Sequence, residues 1–383
     1  MKILHINVCG TYNDGWLYQE NLMLKQNVAD GNETVFITTT KAHLRKDFDE
    51  QIYFDDNGAK IYRIKGAKYI PARINAKIRY FPKISKILET EKPDIVYMHG
   101  PQTLSVLGVV GYKKRNPETV LYFDTHADYF NSAKTFFSRN ILHKIFYRIL
   151  IKYAYSYAKK IFYVTVPRKR FFCEVYAVPE DKLEFLPLGG DMFDPREYAE
   201  IRGKLRSEMG AGENCTVFLH SGKFSRAKKT DFVIESFLSL KNSDAKLVLA
   251  GAVEDDLKIS DYNSENIVNM GWVAPQNLRR LMCACDVFIQ PGLHSVLFEQ
   301  GILAGLAEIL LDTEHNRFLM KNGNGILVNR NDEIGGAMQE LIDNPEKLKE
   351  MKEKALEFAK ENLLYSETLK NIFTVVKPDK QQS

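Results

Sequence analysis

The stretch Ile289–Leu306, "IQPGLHSVLFEQGILAGL", places the end of an apolar strand, a Pro-Gly loop and the start of an apolar helix in direct succession. Ser295 opens the predicted helix, and Glu299 and Gln300 fall in its first turns. The N-terminus of a helix presents unbonded N–H groups and a partial positive charge, so it favours an anion. The stretch therefore predicts a strand–loop–helix unit that holds a negatively charged group beside an acid and an amide.

The same alternation of apolar strands and helical patterns extends through the whole chain. The predicted strands read "KILHINV", "TVFITT", "DIVYMHG", "VLYFDTH", "IFYVTV" and "LEFLPLG" in the first half, and "TVFLHSG", "KLVLAG", "IVNMGWV", "DVFIQPG", "AEILLD" and "GILVN" in the second. Continuous apolar strands separated by helices indicate parallel sheets covered on both faces. The pattern predicts an α/β protein with two Rossmann-like doubly wound domains, 1–187 and 188–364. A C-terminal helix or tail, 365–383, is expected to pack back on the first domain.

The composition is that of a globular protein, since 45% of the 383 residues are hydrophobic and 27% are charged. Met1–Val8 reads as a buried strand and not as a signal peptide. No apolar run reaches the roughly 18 residues of a membrane-spanning helix. The five cysteines are odd in number and lack metal-ligand spacing, which fits a reducing compartment. These features predict a cytoplasmic protein.

Positive charge is concentrated in the first half of the chain, although the net charge is only +4. Residues 1–188 hold 29 basic and 19 acidic residues, and residues 189–383 hold 24 and 30. The segment Tyr129–Cys173 has ten basic residues and no acidic ones, interleaved with aromatic and aliphatic residues at helical spacing. It is either a helix with a solvated basic face or a surface that contacts anionic lipid or a phosphate-bearing substrate. Nucleic acid is not an expected partner, because no recognition motif accompanies the charge.

The loops after the predicted strands hold the residues that could bind a ligand, because ligands of open parallel sheets bind beyond the carboxyl ends of the strands. If the two domains face each other, these loops line one cleft. The candidate residues are Gly10, Gly15, His99 and His126 in the first domain, and Gly222, Lys223, Gly271, Trp272 and the Pro291–Ser295 loop in the second.

The segment "HSGKFSRAKKTDFVIESF", His220–Phe237, is the second candidate for an anion site. Gly222 lets the backbone approach a ligand, and Lys223 and Lys228 can reach one phosphate group from a loop and a helix start. Combined with the N–H groups of Ser295, Val296 and Leu297, they favour a nucleoside diphosphate. The alternative is that the lysines are ordinary surface residues, that Ser295 is an N-cap and that Glu299 complements the helix dipole.

With these residues in place, the whole chain resembles the retaining glycosyltransferases of family 4 (glycosyl transferases group 1), which have the GT-B fold. The stretches that carry the resemblance are "DGWLYQENLMLKQNVADGNETVFITT", "DIVYMHGPQ", "VLYFDTHADYF", "LPLGGD", "SGKFSRAKKTDFVIESF" and "MGWVAPQNLRRLMCACDVFIQPG". The resemblance implies two Rossmann-like domains that face each other across a cleft. It assigns the acceptor to domain 1–187 and the nucleotide-sugar to domain 188–364.

The resemblance also implies roles for single residues. His126 is the catalytic candidate, and Lys223 and Lys228 stand where the family has its phosphate-binding Arg and Lys. Further expected contacts are Gly15, Gly222, Ser295, Val296 and Leu297 for the diphosphate, His294, Glu299 and Gln300 for the ribose and sugar, Gly271, Trp272 and Val273 for the nucleobase, and Gly10 and His99 for the acceptor. Neither a metal nor a cofactor is expected.

The chain departs from the family at a pair of glutamates that are separated by seven residues. Alignment on Ala304–Leu306 puts Gly292 at the first glutamate and Gln300 at the second. An amide oxygen accepts hydrogen bonds from ribose hydroxyls less strongly than a carboxylate does. The missing first glutamate leaves His294, or the backbone around Gly292 and Leu293, to orient the sugar.

The function expected from the resemblance is metal-independent, retaining transfer from a nucleotide-sugar, with a UDP-sugar as the first candidate, to a saccharide. The acceptor could be linked to polyprenyl diphosphate at the inner face of the cell membrane, for capsule, lipopolysaccharide or another cell-surface polysaccharide. The protein would then attach peripherally to anionic lipid. The alternatives are a nucleotide-sugar-binding protein without turnover and a sugar-nucleotide epimerase on the same fold. An NAD enzyme is disfavoured, because no Gly-x-Gly-x-x-Gly follows the first strand.

Overall fold

The computed structural model describes residues 1–41, 47–129, 132–241, 244–253 and 264–373. The chain divides into two compact units. Unit 1 contains Met1–Pro187 and the segment that begins at Tyr365, and unit 2 contains Leu188–Leu364.

Unit 1 is built around an eight-stranded sheet. Its strands are β1 Lys2–Asn7, β2 Glu33–Thr39, β3 Gln51–Phe54, β4 Lys60–Ile64, β5 Ile95–His99, β6 Val120–Thr125, β7 Lys160–Tyr163 and β8 Leu183–Phe185. Its helices are α1 Gln19–Ala29, α2 Ala72–Ile78, α3 Lys83–Glu91, α4 Val106–Arg115, a π-helical segment Ser138–Tyr147, α5 Arg148–Ala154 and α6 Val166–Tyr176. Helix α14, Tyr365–Ile372, also belongs to this unit.

The strand order of this sheet is β3-β4-β2-β1-β5-β6-β7-β8, and all neighbours are parallel except β3 and β4. The central strands are apolar on both faces because helices cover both sides. The order reverses between β1 and β5, so the loops after these two strands flank the crevice where doubly wound sheets bind ligands.

The antiparallel pair β3 and β4 was not expected from the sequence. Its register pairs Gln51 with Arg63 and Phe54 with Lys60. The connection Asp55–Ala59 contains Asn57-Gly58, and Gly58 has φ +93°. An Asn-Gly pair between two β-rich runs is a strong hairpin signal. The basic residues of this region obscured it.

Unit 2 is built around a six-stranded sheet. Its strands are β9 Thr216–Phe224, β10 Ala245–Val253, β11 Ile267–Gly271, β12 Val287–Gln290, β13 Ala307–Leu311 and β14 Gly325–Val328. Its helices are α7 Pro195–Glu208, α8 Thr230–Leu238, α9 Pro275–Ala284, α10 Leu297–Leu303, α11 Glu314–Leu319, α12 Glu333–Asp343 and α13 Pro345–Asn362.

The strand order of unit 2 is β11-β10-β9-β12-β13-β14, and every pair is parallel. Counted within the unit, this is the order 3-2-1-4-5-6 of the Rossmann fold. The predicted α/β class with two Rossmann-like units is therefore confirmed. The order reverses between β9 and β12, which directs attention to the residues that follow these two strands.

Helix α14 completes the core of unit 1. Tyr365 and Leu369 are buried in one cluster with Ile3, Met23 and Tyr97. The Tyr122 hydroxyl donates a hydrogen bond of 2.9 Å to the Ile372 carbonyl. The remainder of the expected C-terminal segment, 374–383, lies outside the described residues.

Among the helices that the structure describes, none combines the length and the apolar character that are needed to cross a membrane.

Candidate functional site

The switch point of unit 2 brings Gly222 next to the start of α10. The sequence had indicated that Gly222 and Lys223 lie in the loop after β9. Strand β9 continues through Phe224, however, so both residues lie in the strand. Gly222 has φ +119°, a region that favours glycine. A Cβ at this position would lie 3.7 Å from Leu297 Cδ1 and 3.8 Å from Gln290 Oε1. The two predicted phosphate-binding segments therefore meet.

The loop after β12 packs tightly on the turn that contains Lys228. A Cβ at Gly292 would lie 2.5 Å from the Ala227 carbonyl oxygen and 2.8 Å from Lys228 Cα. Backbone atoms cannot move out of the way as a flexible side chain can, so only glycine fits. This contact gives a physical reason for the missing first glutamate of the family, because position 292 has no room for a side chain.

Lys228 holds this loop through its ammonium group. Its Nζ donates a hydrogen bond of 2.9 Å to the Leu293 carbonyl, which also accepts one of 3.0 Å from Gln290 Nε2. Burial lowers the pKa of Lys228 to about 8. Lys223 is exposed. The two predicted phosphate ligands therefore differ in burial, since Lys228 is half-buried and Lys223 is exposed.

The predicted anion seat at the helix start is only partly available. Helix α10 begins at Leu297, two residues after Ser295, and it contains seven residues. The Leu297 N–H points at Ser295 Oγ over 3.4 Å, and the Phe298 N–H donates to the Ser295 carbonyl over 3.1 Å. Ser295, Val296 and Leu297 are half-buried. The N-cap of α10 is Val296 and not Ser295, so the N-cap alternative is off by one residue.

His294, Glu299 and His315 form a cluster behind this loop, which we call the unit 2 cluster. His294 Nε2 lies 3.0 Å from Glu299 Oε1, and His315 Nε2 lies 3.5 Å from the same oxygen. Glu299 is fully buried, His315 is 3% exposed and His294 is half-buried. Glu299 therefore contacts two histidines, and its role as a sugar ligand stays a prediction.

The charge of the unit 2 cluster is concentrated on Glu299. Burial alone would raise the pKa of Glu299, but the charge and the hydrogen bond of His294, together with the nearby His315, outweigh it, so this pKa is about 2. The neighbouring Glu308 is fully buried as well, and burial together with the charge of Glu299 raises its pKa well above the usual value. An ionised and a neutral carboxyl thus lie side by side.

Gln300, the expected ribose ligand, is 3% exposed. Its Nε2 donates a hydrogen bond of 3.3 Å to the Gly189 carbonyl. The amide therefore fastens α10 to the first residues of unit 2, and a direct bond to ribose would require a rearrangement of this side chain.

The expected nucleobase segment lies at the end of β11. Gly271 has φ +60°, and its N–H donates to Asn269 Oδ1 over 3.0 Å. Trp272 is 58% exposed, which leaves an indole face available for a planar ring. Val273 is half-buried and packs against the same core cluster as Leu297. The loop is thus ordered at its base and open at its tip.

In unit 1, the loop after β1 is anchored at both ends. Asn7 Oδ1 accepts hydrogen bonds from the N–H groups of Cys9 and Gly10, over 3.1 and 3.0 Å. The fully buried Arg63 binds Asp14 at 2.9 Å, next to Gly15, whose φ is +73°. The segment that carries Gly10 and Gly15 is therefore a fixed element of unit 1.

A second cluster, which we call the unit 1 cluster, consists of His5, His99, Asp124 and His126. His99 Nδ1 lies 2.7 Å from Asp124 Oδ2, and His99 Nε2 lies 3.1 Å from His5 Nδ1. His126 Nε2 lies 3.4 Å from the same Asp124 oxygen. His5, His99 and Asp124 are buried, and His126 is half-buried. The expected catalytic residue His126 is thus the outermost member of a buried network.

The pKa shifts in the unit 1 cluster follow from its geometry. Burial would raise the pKa of Asp124, but the charges of His99 and His126 and their hydrogen bonds hold it well below its usual value. Burial would lower the pKa of His99, but Asp124 outweighs burial and raises it. Burial and the charge of His99 lower the pKa of His5. His99 is therefore placed to support Asp124, and its burial removes it from the acceptor contact expected of it.

Sequence reasoning missed Asp124, His315, Glu308 and Arg63. A signal for Asp124 was present, because it lies two residues before His126, and such residues point to the same side of a strand. His315 and Glu308 reach the site from elements after β12, and nothing in their local pattern predicts this contact.

Known glycosyltransferases resemble this chain in sequence and in fold. The model of the glycosyl transferases group 1 family matches residues 202–358, and that of glycosyltransferase family 4 matches residues 23–192. The alpha-galactosylglucosyldiacylglycerol synthase of Streptococcus pneumoniae (strain ATCC BAA-255 / R6) is 24% identical over 235 residues. The match covers 57% of this chain and 61% of that relative, so this chain spans about three-fifths of the relative's length.

Solved structures show the same fold at low sequence identity. HepE of Anabaena in complex with UDP has a TM-score of 0.66 at 14% identity, with 97% of this chain and 99% of that chain covered. WaaG, a glycosyltransferase involved in lipopolysaccharide biosynthesis, has a TM-score of 0.64 at 15% identity, with the same coverage. The fold, the order of the motifs and both family models agree with the predicted enzyme class. The chain belongs to the family 4 type of glycosyltransferases, with the GT-B fold.

Proposed function

We propose that the chain transfers a sugar from a nucleotide-sugar, with a UDP-sugar as the first candidate, to a saccharide on a lipid-linked acceptor, with retention of configuration. The observation that carries the donor part is at the switch point of unit 2, where Gly222 lies next to Leu297 and Lys228 bonds to the Leu293 carbonyl in the loop before α10. This is the place where doubly wound sheets bind nucleotides. The complex of HepE with UDP supports uracil as the base to test first.

The leaving diphosphate is stabilised by lysines in this proposal. Lys223 is exposed at the end of β9, and the Lys228 ammonium is one hydrogen bond away from the loop after β12. As the bond from the sugar C1 to the diphosphate breaks, both charges oppose the negative charge that develops on the leaving group. Ammonium groups can do this without a metal ion on the phosphates.

In this proposal, retention proceeds without a carboxylate nucleophile. Glu299 is fully buried behind His294, so it is not placed to attack the sugar as a nucleophile. The acceptor oxygen then bonds to C1 on the face from which the diphosphate leaves. The acceptor proton passes to an oxygen of the leaving diphosphate, and the charges balance without a covalent enzyme intermediate.

A donor screen followed by a transfer assay tests this proposal. UDP-, GDP- and ADP-sugars are compared by thermal shift, because a ligand that binds only the folded state raises the apparent stability. The best donor is then incubated with saccharide and glycolipid acceptors, and the anomeric configuration of the product is read by NMR. An inverted product would contradict retention. Binding without transfer or hydrolysis would favour the binding-protein alternative.

The lipid-linked acceptor is supported by a surface of unit 1, which we call the lipid surface. On the π-helical segment and α5, large apolar side chains recur every four residues and are exposed, namely Phe137 60%, Ile141 43%, Ile145 51%, Ile149 65% and Tyr153 41%. Arg139, Lys144, Arg148 and Lys152 lie on the same two elements. A stripe of exposed apolar side chains beside basic ones is typical of helices that lie in a membrane interface.

We therefore propose reversible attachment of unit 1 to anionic lipid through this surface. A basic side chain near an anionic bilayer contributes about 1 kcal/mol, which salt screens. Co-sedimentation with vesicles tests it: binding should need anionic lipid, weaken with salt and fall when Arg139, Lys144, Arg148 and Lys152 become Gln. The matched control replaces four lysines of α13, Lys347, Lys349, Lys354 and Lys360, and should bind as the wild type does. Equal loss in both variants would reduce the effect to net charge.

A further inference from the structure

We propose that His294, Glu299 and His315 bind a divalent transition-metal ion, with zinc as the expected occupant. One ligand atom from each residue can be chosen so that all three lie within 4.8 Å of one another. Two imidazoles and one carboxylate form a donor set that zinc prefers in proteins. This proposal stands apart from the donor and acceptor assignments, because it is read out by metal binding.

The distances fit a single tetrahedral ion. Zinc bonds of about 2.0–2.1 Å to nitrogen and oxygen separate neighbouring ligand atoms by roughly 3.3 Å. Glu299 Oε1 lies 3.0 Å from His294 Nε2 and 3.5 Å from His315 Nε2. These two separations lie on either side of the tetrahedral value, and the three ligand atoms all lie within 4.8 Å of one another, so rotamer adjustments of the two imidazoles would bring them around one ion.

A buried histidine without a hydrogen bond is the second observation. His315 is 3% exposed, and neither of its ring nitrogens has a hydrogen-bond partner. Glu299 Oε2 is buried and lacks a partner as well. Buried polar groups that lack a partner are costly, so each calls for an explanation such as an ion that is bound there. A metal ion would satisfy the imidazole and neutralise the buried carboxylate together.

The unit 1 cluster is less suited to binding a metal ion. His99, Asp124 and His126 also bring three ligand atoms together. There, however, His99 Nδ1 bonds to Asp124 and His99 Nε2 bonds to His5, so both imidazole nitrogens are occupied. A metal ion would have to break one of these bonds. The unit 2 cluster has no such obstacle at His315.

The ion would connect the loop after β12 to α11, because His294 belongs to that loop and His315 to that helix. Three protein ligands leave the fourth tetrahedral position for water or another oxygen ligand, and the half-exposed His294 provides the path of entry. This proposal departs from the metal-free site that the sequence predicts. The lysines remain the partners of the diphosphate, so the ion acts on loop position.

Metal binding to the purified full chain tests the proposal. After treatment with a chelator, zinc chloride is titrated by calorimetry and by thermal shift, with magnesium chloride for comparison. One zinc ion per chain and a raised melting temperature are expected, with no such effect of magnesium. His294→Gln and His315→Gln should each weaken zinc binding by at least about tenfold, since even residues that only orient a ligand contribute this much. The matched control, His126→Gln in the unit 1 cluster, should bind zinc as the wild type does.

Cobalt substitution covers the case in which His315→Gln fails to fold. Cobalt bound to the wild-type chain should show the intense visible absorption of a four-coordinate site, and His294→Gln, at a half-exposed position, should lose it. Absence of saturable zinc binding in the wild type would overturn the proposal. So would zinc binding that His126→Gln alone weakens, or that neither His294→Gln nor His315→Gln changes.

Discussion

The two histidine–carboxylate clusters contain the same kinds of groups but differ in how completely those groups are bonded. In the unit 1 cluster, Asp124 lies 2.7 Å from His99, which continues to His5 and from there to Asn27 Nδ2 at 2.8 Å. In the unit 2 cluster, His315 makes no hydrogen bond although it is buried. A buried histidine that is bonded through both ring nitrogens, such as His99, is held in one geometry, whereas a buried histidine without a hydrogen bond, such as His315, is prepared for a ligand.

The difference follows from where the residues lie in the fold. His5, His99 and Asp124 lie on the adjacent strands β1, β5 and β6, whose parallel register sets the spacing of their side chains. The unit 2 cluster joins a loop, the first turn of α10 and the short helix α11. Residues on neighbouring strands are thus held rigidly, and residues on loops and helix ends leave room for adjustment.

Removal of the central carboxylate should give the largest difference in stability between the two clusters. Asp124→Ala should lower the free energy of unfolding by about 3–5 kcal/mol, because it leaves His99 buried without its partner. Glu299→Ala should cost less, because its loss also removes the interaction of Glu299 with the buried Glu308. Urea unfolding of both variants measures the two values. The surface pair of Asp312 with Arg317 provides a control, since Asp312→Asn should have almost no effect. An equal or larger cost at Glu299 would contradict the ranking.

Lys228 and Lys223 should contribute much of the binding affinity for the donor in unit 2. Lys228→Ala and Lys223→Ala should each weaken nucleotide-sugar binding by roughly tenfold or more, because charge-assisted bonds to phosphate contribute about 1.5–3 kcal/mol. Calorimetric titration with the donor from the thermal-shift screen gives the dissociation constants. Lys229→Ala is the matched control, since Lys229 Nζ donates to Asn331 Oδ1 over 2.5 Å. If both variants bind like the wild type, the diphosphate lies elsewhere.

Restoring a side chain at Gly292 should disturb unit 2. Gly292→Ala places a Cβ about where the Ala227 carbonyl and Lys228 Cα already lie, so it should cost about 1–3 kcal/mol of stability and shift the loop. Gly292→Glu, which restores the family's glutamate, should cost at least as much. Thermal and urea unfolding measure the loss, and Gly203→Ala is the control, because nothing lies within 4 Å of a Cβ there. A stabilised Gly292→Glu variant would mean that the loop adopts another conformation.

The smallest expected effect is a pH dependence of donor binding. Burial holds the pKa of Lys228 at about 8 in the free protein, so above this pH the neutral amine must take up a proton to attract the diphosphate. Donor affinity should therefore fall as the pH rises above about 8, by up to about tenfold per pH unit. Lys228→Arg should bind with little change from pH 7 to 9.5, because arginine stays charged. A wild-type affinity that is flat over this range would place Lys228 outside the donor site.

The fold could be predicted from the sequence largely because buried parallel strands leave a strong local signal. All twelve predicted strands are present, since long apolar runs between helices admit few other arrangements. The hairpin of β3 and β4 was missed because apolar and polar residues alternate only weakly along it. Only the Asn-Gly turn marked it.

The candidate site could be predicted only where residues follow a strand. Gly222, Lys228 and Leu297 were predicted by this rule, and the structure brings them together. The roles of Glu299 and Gln300 could not be predicted, because a helix of seven residues turns one side chain towards His294 and the next towards Gly189. A shift of one residue on a helix changes the direction of a side chain by about 100°. The sequence gives no means of fixing that angle.

The path of the chain makes unit 2 an insertion within unit 1. The polypeptide leaves unit 1 after Pro187 and returns at Tyr365, and the ends of unit 2 lie side by side, since the Gly190 N–H donates to the Leu363 carbonyl over 3.0 Å. Residues 188–364 could therefore be excised as one continuous segment whose two ends lie together. Unit 1 offers no such freedom: a fragment that stops at Pro187 would lack Tyr365 and Leu369 and leave Ile3 and Tyr97 uncovered. Its two segments would have to be rejoined by a linker, so the last helix, although distant in sequence, is as necessary to the first unit as its first strand.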